Sequence, residues 1–192
     1  MRSILVFCFA LCLLLHGVQC RADVRADSSA SRRARVVRVA QSLVGIREVG
    51  RNAGAAVERI IKFAGGKVGD AYCSWTVVAI MRWAGIQVPR FGKAKTWFDS
   101  THTVWRAGRQ VPGRPGPQMA DLLGYTWGHA EVCHVETETG PWGTGPSVRA
   151  VGGNTGGGGA LKREGEGVYE NWRLKRLVHA VANVIDNPRY SK

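Results

Sequence analysis

Cysteine is scarce in the part of the chain that would fold. Three of the five, Cys8, Cys12 and Cys20, fall in the first twenty residues, leaving only Cys73 and Cys133 beyond them. Two are too few for the disulfide framework of a small secreted domain. Acidic residues are also few: 14 Asp plus Glu stand against 27 Lys plus Arg, a formal charge of +13. That excess favours anionic partners, without choosing among nucleic acid, acidic lipid and acidic polymer. No apolar run reaches the ~20 residues needed to span a bilayer. The sequence shows no internal repeat and no nucleotide-binding glycine motif. Gly152 to Gly159 holds six glycines but lacks the Lys-Ser/Thr pair and following helix of a phosphate loop. No His/Cys pair has zinc spacing, so neither a metal nor a cofactor is expected.

What is present points to one exported domain. At 192 residues, 45% hydrophobic and 21% charged, the chain suits a single globular core. Met1-Arg2-Ser3, the apolar run Ile4 to Leu15 and the small residues before Cys20 have the layout of a secretory signal peptide. Residues 1–20 are therefore read as removed on export to a secreted location, with a lipid-anchored Cys20 as the minor alternative. Residues 21–35 read as a flexible basic leader and residues 36–188 as the domain. Apolar spacing predicts helices over 36–44, 55–63 and 73–84, with a weaker one over 95–105. The helix from Cys73 is apolar nearly all round, as a central buried helix is. Strands are predicted over 119–125, 129–139 and 147–151, with two more within 168–184. Helices first, then antiparallel strands, make the fold α+β.

Cys73 opens the buried helix after a glycine-containing turn. There, free N–H groups and the positive end of the helix dipole favour a thiolate. A thiolate nucleophile also needs a base, usually His, and a polar group that orients the imidazole. His102, His129, His134 and His179 are the histidines beyond the signal region. Strand alternation over 129–135 puts His129 and His134 on opposite faces, so only one can face Cys73. His102 and His179 belong to no motif and read as surface or packing residues. Trp75 and Trp83 read as core. Trp97, Trp105, Trp127 and Trp142 lie in loops or at element ends, where one or two could stack on sugar rings.

Four short motifs then carry a resemblance. They are Gly45-Ile46-Arg47-Glu48 with Asn52 and Gly54, Gly69-Asp70-Ala71-Tyr72-Cys73-Ser74-Trp75, Gly128-His129-Ala130-Glu131-Val132, and Val151-Gly152-Gly153-Asn154-Thr155. In this order the chain resembles the CHAP-type amidohydrolase domains of bacteria and phages, over roughly residues 38–185. The resemblance implies a papain-like fold, with the catalytic cysteine on a central helix packed against an antiparallel sheet. It implies a triad of Cys73, His129 and Asn154, with Asn154 fixing the imidazole; spacing to Asn154 keeps His134 open as the base. It also implies cleavage of amide bonds in peptidoglycan through a thioester. Two positions depart from the pattern: Tyr72 stands where Trp is usual, and Gly152 where Glu is frequent.

The leading expectation is an exported, monomeric cysteine amidase or endopeptidase whose partner is anionic cell-wall peptidoglycan. The alternative is a non-catalytic module on the same fold, holding wall polymer or another polyanion. Specific nucleic-acid binding is the weakest reading, because the cations are scattered and form no recognised motif.

Overall fold

A computed structural model describes residues 27–128, 131–159 and 165–190. The expected signal peptide, residues 21–26 of the expected leader, and His129 lie outside the described residues. Three helices come first: α1 (Ser29–Ser42), α2 (Ala55–Ala64) and α3 (Cys73–Trp83). Seven strands follow among the described residues: β1 (Thr103–Arg106), β2 (Arg109–Gln110), β3 (Leu122–Tyr125), β4 (His134–Glu138), β5 (Ser147–Thr155), β6 (Gly167–Leu174) and β7 (Ala180–Ala182). They form one sheet in the order β2-β1-β7-β3-β4-β5-β6, with every neighbouring pair antiparallel. The expected α+β class holds. No helix among the described residues is long and apolar enough to cross a membrane.

Helix α1 corrects the reading of 21–35 as a flexible leader. It begins at Ser29, not near Val36, capped by the Ser28 hydroxyl, which accepts from the Ser31 N–H. The buried Arg33 donates to the Met119 carbonyl (2.6 Å), Asp121 (2.7 Å) and Asp186 (2.6 Å). The two carboxylates lie 88 and 153 residues away in sequence, so nothing local marks this arginine as an interior residue.

A second difference lies between 95 and 105. Instead of a weak helix there is a 3-10 turn, Ala94–Trp97, and then the β1–β2 hairpin. The hairpin turns at Ala107 and Gly108, both at positive φ (50° and 86°), as the twist of a two-residue connection demands.

Helix α3 packs on one face of the sheet and α1 and α2 pack against α3. Eight of its eleven residues are buried, which explains its apolar circumference. Leu122, Val135, Val151, Ala180 and Ala182 meet the helical layer. Val104, Leu123, Tyr125, Val148, Ala150 and Val181 form a second apolar cluster, against which Trp105 and Trp142 pack.

Candidate active site

The motif residues ahead of Cys73 build its setting. Glu48 accepts from the Asn52 backbone N–H and from the Tyr72 hydroxyl, both at 2.9 Å, while the Asn52 amide donates to the Gly69 carbonyl. Asp70 accepts from the Lys67 N–H and from the Trp75 indole, closing the turn that delivers the chain to α3. Cys73 is the first residue of α3 and only 8% exposed.

The histidine that meets Cys73 is His134. It opens β4, is 1% exposed, and its ring lies beside the Cys73 thiol, close enough for each group to shift the other's protonation. The expected alternation from residue 129 onward does not apply, because residues 131–133 are not strand and the ladder starts at His134. The ring packs beside Tyr125 and Trp127, with centroids 6.0 and 5.5 Å away. Nε2 of His134 lies 3.2 Å from Glu136 Oε1, which leaves Nδ1 for the sulfur. Glu136 in turn receives two bonds from the Arg173 guanidinium, the Nε one at 2.8 Å, and Arg173 also donates to the Gly159 carbonyl and the Thr155 hydroxyl. All three side chains are buried, so the pair stands only because every charge is matched.

Sequence reasoning missed Glu136 and Arg173. The available signal was His134-Val135-Glu136: residues two apart on a strand share a face, which sets the carboxylate beside the imidazole. Gly152 is its counterpart on β5. A Cβ there would come within 2.6 Å of Glu136 Oε1, so the glycine at 152 is what admits this carboxylate. Gly153 does the same for α3, since a Cβ would lie 2.0 Å from the Thr76 hydroxyl.

Asn154 takes a different place from the one the resemblance implies. Its side-chain oxygen accepts from the Gly165 N–H at 3.2 Å, and its backbone N–H faces the Tyr72 hydroxyl closely enough to lower it. It sits at φ 52°, at the irregularity between Gly152 and Thr155 where β5 bends. The polar side chain that holds the His134 ring in this geometry is Glu136. His102 bonds Asp99 and the Tyr190 hydroxyl and is a packing residue. Cys133 and Cys73 are thiols, not a disulfide. Since the histidine at the sulfur is the residue next to Cys133, distance along the strand does not separate the two. Direction does: Cys133 turns both its N–H and its Sγ to the Tyr125 carbonyl.

Charge follows geometry. Burial pushes the Cys73 thiol up, but the His134 contact and the N–H groups of Val135 and Ser74 outweigh it, leaving the thiol below its ordinary value. Burial pulls His134 down, yet Cys73 and Glu136 raise it to about 9. Of two buried glutamates on β4, burial raises both. Arg173 and His134 bring Glu136 below the usual range, whereas Glu138, with no hydrogen bond to either oxygen, is pushed up to about 8. Only Glu136 can therefore hold an imidazolium at neutral pH.

These opposed shifts favour a thiolate–imidazolium pair between the lowered thiol value and about 9. As pH falls through the first, Cys73 gains a proton; as pH rises through the second, His134 loses one. Alkylation of Cys73 by iodoacetamide is therefore expected to be fast already below the ordinary ~8.5 of a thiol, with its rate followed against pH by mass spectrometry. A profile that only climbs through pH 8.5 would show an unassisted thiol.

Among the described residues no three His, Cys, Asp or Glu side chains gather as metal ligands. No protein-family model matches this chain, and comparison with curated proteins and with solved structures found no match either.

Proposed function

We propose that this protein is an exported cysteine amidohydrolase or endopeptidase of papain-like arrangement that cleaves amide bonds of peptidoglycan. The observation that carries the reading is a thiol at the N-terminus of a buried helix, facing a histidine whose far nitrogen is held by an Arg-clamped carboxylate. The Cys73 thiolate attacks the carbonyl carbon, and the Cys73 N–H at the head of α3 faces the oxyanion that forms. His134 gives its proton to the leaving amine as the C–N bond breaks, leaving a thioester on Cys73. Neutral His134 then takes a proton from water, whose oxygen attacks the thioester and frees the thiol. Glu136 keeps the ring in one tautomer and supports its positive charge, as the third member of a triad does. The wall's carboxylates and anionic polymers suit the +13 chain.

Incubating the protein with purified cell walls tests this directly. New amino groups should appear in step with soluble fragments, with no new reducing sugar ends, and iodoacetamide should stop their release. New reducing ends, or release that survives alkylation of Cys73, would overturn the assignment.

A further inference from the structure

A groove of about 670 Å³ lies at the β1–β7–β3 side of the sheet, lined by Trp105, Thr126, Trp142, Lys175, Arg176 and His179 among others. The Trp105 and Trp142 rings meet at 64° with centroids 5.5 Å apart, forming an aromatic corner. The Lys175 ammonium is fixed above Trp142, 4.9 Å from its centroid, by donating to the Gly143 carbonyl at 2.8 Å. Arg176 is exposed at the rim, and among the described residues no acidic side chain lines the groove.

The groove opens on the sheet face that carries Glu136 of the candidate site. Cross-strand partners Trp105–Val181, Val181–Leu123 and Leu123–Glu136 form one row, so Trp105 and Glu136 share a face of the sheet. Three interstrand steps separate them by ~14 Å. Thr126 of the groove is followed by Trp127, whose ring packs on His134.

We infer that this groove binds a sugar ring bearing a carboxylate, within a glycan strand that extends toward His134. An indole offers an apolar surface to the C–H face of a sugar, while Lys175 and Arg176 answer a negative substituent. With Lys175 on one face of Trp142 and Trp105 edge-on to it, the corner takes one ring, not a run of stacked planar bases. The inference takes from the proposed function only the identity of the polymer: amino-sugar strands whose lactyl carboxylates are free once the peptides are removed.

The test is a Trp-fluorescence titration of the full chain with three probes. They are peptide-free glycan strands with free carboxylates, the same strands with the carboxylates amidated, and oligothymidylate. Saturable binding of the first is expected, weakened at least about tenfold by amidation, as loss of a charge-assisted contact implies. Arg176→Glu should weaken it similarly and Arg176→Lys should largely keep it; Arg176 is exposed, so neither substitution threatens the fold. Equal affinity for amidated strands, tighter binding of oligothymidylate, or indifference to Arg176→Glu would overturn the groove assignment. Wall hydrolysis without strand binding would overturn the groove alone, and strand binding without hydrolysis would overturn the proposed reaction alone.

Discussion

Replacing Cys73 with serine should lower wall hydrolysis by about 10³-fold or more while leaving the fold in place. Ser and Cys are near-isosteric and the side chain sits at the head of α3 beside the polar contacts of His134, Val135 and Ser74, which a hydroxyl also satisfies. What the hydroxyl cannot do is ionise under these influences. The Cys73 thiol lies below its ordinary value because imidazolium and backbone N–H groups support the thiolate, whereas a serine hydroxyl keeps its proton and attacks slowly. Initial rates of fragment release, set beside circular dichroism of both proteins, measure this. A folded serine variant that clears walls at the unsubstituted rate would remove Cys73 from the chemistry.

His134→Ala is expected to cost ~10²–10⁴-fold in kcat/KM, the usual weight of a general acid–base group, and His129→Ala far less. The difference rests on contact: His134 meets the thiol and is held by Glu136, which Arg173 clamps. A second readout separates a missing base from a damaged core. In His134→Ala the rate of Cys73 alkylation should shift to higher pH, because the imidazolium that lowered the thiol is gone. An unshifted alkylation profile, or a larger loss in His129→Ala, would move the role away from His134.

Much of this arrangement was legible along the chain. Helix α3 announces itself because a run from Cys73 to Trp83 that is apolar on all sides must lie between layers, and the Gly69-Asp70 turn fixes where it starts. The motif around Glu48 and Asn52 was legible too, although only the fold shows that these residues serve the turn and Tyr72. The base was harder. A strand extended back to residue 129 puts His129 and His134 on opposite faces, and the motif resemblance favours His129, whereas the choice turns on where the ladder begins. Pairing of Tyr125 with His134 sets that start, and pairing is a property of two segments, not one.

The sequence alone determined the class of fold, the buried helix and the thiol at its head, because helical period, turn chemistry and dipole act within a few residues. Only the tertiary structure decided what surrounds the thiol. Glu136 reads along β4 like a solvent-facing carboxylate. It is instead a buried anion, because Arg173 comes to it from 37 residues downstream and Gly152 on β5 leaves room for it. Arg33 is interior for the same reason, held by carboxylates 88 and 153 residues away. Burying a charge is unfavourable until its partner arrives. The partners here are distant in the chain, so the site's electrostatics are fixed by the fold and not by any local pattern.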